Sequence, residues 1–149
     1  KKQILLSEIF EFHSTPATQH IPRRFTSQFG EDVVLYEFFR NTRAGFFVEA
    51  GAYDGLVFSN TYLLESTGWR GLLIEPNPRM AELCRQRRPN SIVKECALGP
   101  DSATGTISFT CAEDPRGGAP LSFVDASEDH LVRCEAEGCS FREIEVDQV

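Results

Sequence analysis

The stretch Gly45–Asn77, with the sequence GFFVEAGAYDGLVFSNTYLLESTGWRGLLIEPN, decides the fold of this chain. It contains two short apolar runs, Phe46–Val48 and Leu72–Ile74, and each run leads directly into a glutamate. A glycine-containing turn follows the first run, and the segment 60–66 then has the spacing of a helix. The order strand, glycine turn, helix, strand and acidic residue predicts one βαβ unit, which is an arrangement that binds nucleotide-type cofactors.

The residue types around the turn suit such a cofactor. Gly51 and Gly55 allow the backbone to turn sharply off the first strand and to approach a ligand with no Cβ in the way. The first N–H groups of the next helix have no partner within that helix and can face the ligand. Glu75 follows Gly51 by 24 positions, which is close to the spacing of about 20 residues expected for an acid that binds both ribose hydroxyls.

Tyr53 discriminates between the candidate cofactors. It occupies the place of the second glycine in the pattern G-x-G-x-x-G, where a pyrophosphate requires close approach of the backbone. This substitution disfavours an NAD-type dehydrogenase. A cofactor with a ribose and no phosphate fits better, and S-adenosylmethionine is the obvious one, since Glu49 and Asp54 would attract its positively charged methionine end.

Five segments, distributed from about Thr26 to Gly99, carry a recognisable pattern. They are Ser27–Asp32 (SQFGED), Gly45–Gly55 (GFFVEAGAYDG), Ser59–Thr61 (SNT), Gly68–Gly71 (GWRG) and Ile74–Pro78 (IEPNP). Together they resemble the FkbM-type family of S-adenosylmethionine-dependent methyltransferases over roughly half of the chain. The resemblance implies a Rossmann-like class I methyltransferase fold and O-methylation of a hydroxyl on a small molecule, lipid or carbohydrate.

The resemblance also implies which residues bind the cofactor, although it assigns no catalytic residue. Cys96 and Ala97, just past the third strand, are expected to flank the adenine, and Gln28 is expected to close over the cofactor end of the site. The full set is Gln28, Glu49, Gly51, Ala52, Tyr53, Asp54, Gly55, Asn60, Glu75, Pro76, Asn77, Cys96 and Ala97.

Three of these positions also have a purely structural interpretation. Glu49 can accept hydrogen bonds from the turn amides, because a buried glutamate is costly unless it is paired or hydrogen-bonded. Asn60 can be a first-turn or cap residue of the helix, for which Ser59 is the expected N-cap. Gln28, with Ser27, can cap the helix that follows. Both interpretations stay open for each position.

The remaining chain falls into an N-terminal helix and linker, 1–25, and a methyltransferase-like domain, 26–149. Four apolar residues within 1–12 have the spacing of a short amphipathic helix that docks on the domain, and 13–24 has linker character. A second helix is expected to begin after Gly30, with the two acids that follow in its first turn. The residues expected on its packed face are Phe29, Val33, Tyr36 and Phe39.

The segment after the βαβ unit continues the pattern. Trp69 is expected to be a packing anchor, and Asn77-Pro78 predicts the N-cap and first position of a helix that runs to about Arg88. The basic run 85–88 is expected to be its solvated end. A third strand is predicted for 91–98.

The character of the sequence changes after Gly99. Alternation with a period of two at 105–110 and 141–146 predicts antiparallel strands, into which 121–124 can return. A turn cluster lies at 114–118 and a polar loop is expected at 125–138. Only three of about seven core strands of the family can be placed. The predicted fold is therefore α/β, incomplete at the C-terminal side of the sheet, with an antiparallel addition after the third strand.

Composition sets limits on the partners. The chain has 149 residues, a net charge of −7 and no apolar run long enough for a membrane span. An acidic chain argues against a nucleic-acid partner. None of the five cysteines has Cys-x-x-Cys spacing, so a zinc site has no support, although Cys134 and Cys139 could close a small disulfide loop. The alternative to an enzyme is a catalytically inactive domain that serves as a scaffold for a protein partner.

Overall fold

The computed structural model describes residues 25–100, 105–113 and 121–149. The predicted N-terminal helix and linker, 1–24, and the turn cluster at 114–118 lie outside these residues. In chain order the helices and strands are α1 (Glu31–Phe39), β1 (Phe46–Ala50), α2 (Tyr62–Ser66), β2 (Arg70–Ile74), α3 (Pro78–Arg87), β3 (Ile92–Lys94), β4 (Gly105–Glu113), α4 (Glu128–Ala136) and β5 (Ser140–Gln148).

A three-stranded parallel sheet with the order β1-β2-β3 forms the centre of the fold. β1 pairs with β2 over its whole length, from Phe46 opposite Arg70 to Ala50 opposite Ile74. The predicted βαβ unit is therefore confirmed, with α2 as its short crossover helix. The chain is mixed α/β, and the parallel register brings the carboxyl ends of β1 and β2 to the same edge of the sheet.

Several helices begin or end at the glycine and cap residues that the sequence predicts. Gly30, with φ of 88°, precedes α1, as expected. Gly68, with φ of 102°, ends the α2 segment before β2. The Asn77 side chain accepts hydrogen bonds from the N–H groups of Arg79 and Met80, and Pro78 occupies the first turn of α3. Each signal acts within a few residues, which is why the sequence alone locates these ends.

One face of the parallel sheet carries the main core. Phe47, Leu73 and Trp69 are buried together with Leu64 of α2. The indole N–H of Trp69 donates to the carbonyl of Thr42 at 3.3 Å, so the predicted packing anchor is confirmed.

The opposite face of the parallel sheet is open. Phe46 and Val48 alternate with Phe47 along β1 and are 61% and 59% exposed. Ile92 of β3 is exposed as well. In contrast to a strand that is buried on both faces, β1 thus buries only one set of its side chains.

Strands β4 and β5 form a separate two-stranded antiparallel sheet. It pairs from Gly105 opposite Gln148 to Glu113 opposite Ser140, as the alternation of the sequence predicts. Its buried cluster also includes Ala97. The predicted third strand is wrong in length: β3 ends at Lys94, and Ala97 pairs instead with β5, where its N–H donates to the carbonyl of Asp147 at 2.8 Å.

Two further expectations are corrected. The segment 125–138, predicted as a loop, contains α4, whose N-cap Ser127 accepts a hydrogen bond from the N–H of His130. Phe29, expected on the packed face of α1, is 82% exposed, because Gly30 turns the chain before the helix begins. The return of 121–124 amounts to one bridge between Phe123 and Thr110.

No disulfide joins the cysteines of the described residues, so the suggested loop between Cys134 and Cys139 is not closed. Within the described part of the chain, no helix is long and apolar enough to cross a membrane.

Candidate functional site

The glycine turn after β1 lies at the carboxyl edge of the parallel sheet. Gly51, Tyr53 and Gly55 have φ values of 71°, 50° and 77°, so the turn uses left-handed conformations at alternate positions. The N–H groups of Gly51 and Ala52 both donate to the carbonyl of Ile74 at the end of β2, at 2.9 and 3.1 Å. The turn is thereby bound to the neighbouring strand.

Glu75, the first residue after β2, closes the other side of this turn. Its two carboxylate oxygens accept hydrogen bonds from the N–H of Tyr53 at 2.8 Å and from the N–H of Asn77 at 2.9 Å. The residue is only 6% exposed. Burial raises the pKa of Glu75 to about 7, against the lowering effect of the two backbone hydrogen bonds. The two backbone hydrogen bonds fix the Glu75 carboxylate at the carboxyl edge of the sheet, beside the turn.

Asp54 organises the chain that leaves the turn. One of its oxygens accepts hydrogen bonds from the N–H groups of Leu56 and Val57 at 2.9 and 2.7 Å. The other forms an ion pair with Arg87 at the end of α3. The turn amides of this segment are therefore used within the protein and do not form an anion-binding nest.

Glu49, at the end of β1, acts as a structural acceptor for a different loop from the one expected. It accepts hydrogen bonds from the hydroxyls of Ser59 and Thr61 at 2.9 and 2.6 Å and from the N–H of Asn60 at 2.9 Å. Ser59 in turn accepts a hydrogen bond from the N–H of Tyr62 at 3.1 Å, but the N-cap of α2 is Thr61, so the predicted N-cap is wrong by two residues. Asn60 thus lies beside the site through its backbone.

The carboxyl end of α3 lies directly beneath the glycine turn. The carbonyls of Tyr53, Asp54 and Gly55 accept hydrogen bonds from the side chains of Cys84, Arg87 and Arg88, respectively. The distances are 3.0 Å from the Cys84 sulfur, 3.2 Å from Arg87 Nη1 and 3.1 Å from Arg88 Nη1. Burial raises the pKa of the Cys84 thiol to about 12, so the sulfur keeps the proton that it donates.

Arg88 is a candidate functional residue that was not predicted from the basic run 85–88. The run was expected to be solvated, and Arg85 is indeed exposed, but Arg88 is 1% exposed. A signal was present in the sequence: Ala81, Cys84 and Arg88 are spaced by three and four residues, which places them on one face of a helix. All three are buried.

The remaining predicted site residues divide into two groups. Asn77 and Pro76 follow Glu75 directly and lie with it at the sheet edge. Cys96 and Ala97 are buried instead next to the β4-β5 sheet, two and three residues beyond the end of β3. Gln28 is exposed, and its neighbour Ser27 bridges to Phe58, which places this segment beside the loop that Glu49 holds.

The space and charge at the edge favour a cationic ligand over a phosphate. An added Cβ at Gly51 would meet no atom within 4 Å, so one side of the turn is open. At Gly55, in contrast, it would lie 3.0 Å from Arg88 and 3.1 Å from Cys84. The carboxylates of Asp54 and Glu75 accept hydrogen bonds from backbone N–H groups in and just after the turn, and that of Glu49 holds the loop 59–61 that follows. Arg87 pairs with Asp54, and Arg88, which pairs with Glu65, lies behind the turn.

No group of three or more His, Cys, Asp or Glu side chains in the described ranges is arranged to hold a metal ion. Comparisons of the chain with protein-family models, with curated proteins and with solved structures find no match. The function is therefore inferred from the geometry of the site itself.

Proposed function

We propose that this chain is an S-adenosylmethionine-dependent methyltransferase with a Rossmann-like class I fold, acting on a hydroxyl group. The observation that carries the proposal is the contact between Glu75 and the N–H of Tyr53 at 2.8 Å. It joins a carboxylate at the tip of β2 to a glycine turn at the tip of β1, in adjacent parallel strands. This is the position in which an acid can bind a ribose while the turn contacts the rest of the cofactor.

The internal hydrogen bonds of the turn support a cofactor without phosphate. The N–H groups of Gly51, Ala52 and Tyr53 are used by Ile74 and Glu75, so they are not directed at an anion. The carboxylates of Glu49, Asp54 and Glu75 near this edge favour a ligand with a positive charge, which a sulfonium and an amino group provide. A pyrophosphate would meet repulsion at the same place.

The chemistry follows from this arrangement. When bound, S-adenosylmethionine supplies a methyl group activated by the sulfonium charge. The residues of this chain bind and orient it: Glu75 accepts from the ribose, and the turn 51–55 packs against the remainder. Positioning is the principal contribution that methyl transfer needs from a protein. Holding the acceptor in line with the methyl group converts a bimolecular reaction into an effectively unimolecular one. The acceptor is a hydroxyl of a small molecule, lipid or carbohydrate.

Calorimetric titration of S-adenosylhomocysteine tests the proposal. We expect micromolar binding by the wild-type chain, and we expect Glu75→Ala to weaken it by about 100-fold or more, since it loses hydrogen bonds to both ribose hydroxyls and each charge-assisted bond is worth about 1.5–3 kcal/mol. Glu82→Ala is the matched control, because Glu82 is an exposed carboxylate on α3 that pairs with Arg85 away from the turn. Unchanged affinity in a folded Glu75→Ala variant would show that the ribose assignment is wrong.

A second candidate is an inactive domain that binds a protein partner, and the open face of the parallel sheet favours it. Phe46, Val48 and Ile92 form an apolar surface there, next to the exposed Arg70 and Lys94 on the same face. A partner with an apolar centre and an acidic rim would fit this face. Light scattering at rising concentration, with a dye that binds apolar surface, separates the candidates: a monomer that binds no dye and binds S-adenosylhomocysteine eliminates the second one.

A further inference from the structure

We infer that Arg88 is a positioning residue for the cofactor turn, acting through the carbonyl of Gly55 and through the loop 59–61. The inference rests on the proposed function, because it assigns Arg88 a role toward the same ligand. Arg88 itself is buried behind the turn, with 1% of its surface exposed. Its effect on a ligand must therefore pass through the backbone that it holds.

The guanidinium group of Arg88 joins the turn to the loop that follows it. Nη1 donates to the carbonyl of Gly55 and to the hydroxyl of Ser59, both at 3.1 Å. Nη2 donates to the hydroxyl of Thr61 at 2.9 Å. Glu49, which holds the same two hydroxyls from the opposite side, lies 3.5 Å from Nη1. One cation thus fixes both ends of the segment 55–61.

The third nitrogen of Arg88 anchors this assembly to α2. Nε donates to Glu65 at 2.6 Å, and the other oxygen of Glu65 accepts the N–H of Asn90 at 3.1 Å. The guanidinium carbon also lies 5.4 Å from the ring centre of Phe47 and 5.7 Å from that of Tyr62. Every nitrogen of the side chain is used, in three directions.

These contacts require an arginine. A guanidinium group presents five donors in a rigid plane, whereas a lysine presents three donors from one point on a flexible stem. A lysine at position 88 could pair with Glu65 or reach Gly55, but it could not span both and Thr61. Arg88→Lys should therefore keep the charge balance and the fold while releasing part of the turn.

Arg88 acts on the turn together with its two neighbours on α3. Cys84, Arg87 and Arg88 bind three consecutive carbonyls, from Tyr53 to Gly55. Fixing three carbonyls in succession sets the planes of the peptide groups that they belong to, and so the conformation of the second half of the turn. Arg88 is decisive among the three, because Arg87 is exposed and a thiol is a weak donor.

The test compares the affinity for S-adenosylhomocysteine of four variants of the 149-residue chain with that of the wild type. Arg88→Lys is the conservative change, and Arg88→Met combined with Glu65→Gln removes the cation without leaving Glu65 as an uncompensated buried charge. Arg85→Met is the matched control, because Arg85 is an exposed arginine on the same helix that pairs with Glu82 and Glu95. Val146→Ala, in the β4-β5 cluster, controls for a loss of stability alone.

We expect the double variant to bind about tenfold more weakly or worse, Arg88→Lys to be intermediate, and both controls to bind within about twofold of the wild type. Amide hydrogen exchange supplies a readout without ligand. The N–H groups of Leu56, Val57 and Asn60 should exchange faster in both Arg88 variants and unchanged in the controls.

Each other outcome overturns the inference in a recognisable way. Folded Arg88 variants with wild-type affinity, while Glu75→Ala has lost binding, would leave the cofactor proposal intact and remove Arg88 from it. Unfolding of both Arg88 variants, or equal weakening by Val146→Ala, would make the role of Arg88 purely structural. A folded wild type that does not bind S-adenosylhomocysteine would overturn the proposed function, and the inference with it.

Discussion

At the scale of single residues, Glu75 combines a structural role with the predicted ligand role. It joins the turn after β1 to the start of α3, and it is buried, so its ionised form lacks most of its hydration. Desolvation outweighs the two backbone hydrogen bonds and raises the pKa of Glu75 from 4.5 to about 7. A group whose pKa lies so far above its unfolded value links stability and binding to pH.

The first prediction concerns stability. Because the folded state holds a proton on Glu75 more tightly than the unfolded state, the contribution of this group is fully present below about pH 4.5 and is lost as the pH rises through about 7. Urea unfolding of the wild type and of Glu75→Gln at several pH values measures this contribution. Between these two pH values, the unfolding free energy of the wild type should decrease relative to that of Glu75→Gln. A constant difference would contradict the raised pKa.

Ligand binding should show the opposite dependence on pH. The ionised carboxylate is the better acceptor for ribose hydroxyls, so the affinity for S-adenosylhomocysteine should increase as the pH rises through about 7. Calorimetric titration between pH 5.5 and 8.5, roughly 1.5 units on each side of that value, measures this. Glu82→Gln is the control, because a carboxylate on the exposed part of α3 should leave the profile unchanged. An affinity independent of pH would indicate that Glu75 does not bind the ligand.

At the scale of elements, the sequence predicted the βαβ unit well because its signals are local. Two apolar runs, a glycine turn and an Asn-Pro pair each act within a few residues. The errors occurred where the partner is distant: Ala97 pairs with Asp147, fifty residues further along the chain, which no periodicity near β3 shows. Buried ion pairs are not predicted from the sequence for the same reason, since no residue near Arg88 in the sequence indicates that Glu49 and Glu65 are its partners.

The cap of α3 gives a prediction at this scale. The Asn77 side chain satisfies two N–H groups at the start of the helix, so Asn77→Ala should lower the free energy of unfolding by about 1 kcal/mol and by at most about 2. Asn77→Ser should retain most of the stability, because a serine hydroxyl accepts a hydrogen bond at the N-cap and adds no charge beside Glu75. Urea unfolding at pH 7.5 measures both. Equal loss in the two variants would show that α3 is not stabilised by this cap.

At the scale of the whole molecule, the described residues form two hydrophobic clusters. One lies between the parallel sheet and its helices, and the other lies on the β4-β5 sheet with Ala97. The charged network of Glu49, Glu65 and Arg88 lies beside the first cluster, so the side of the sheet that carries the core also supports the candidate site. Phe46 and Val48, on the opposite face of the sheet, belong neither to that core nor to the candidate site.

This asymmetry predicts unequal effects of alanine substitutions in two adjacent strands. Leu73 of β2 is fully buried in the main cluster, so Leu73→Ala should cost about 2–5 kcal/mol of stability. Val48 of β1 is 59% exposed on the open face, so Val48→Ala should cost less than about 1 kcal/mol. Urea unfolding at low protein concentration measures both. If Val48→Ala costs as much as Leu73→Ala, the face is covered in solution, and a cost that grows with protein concentration would identify a second copy of the chain as the cover.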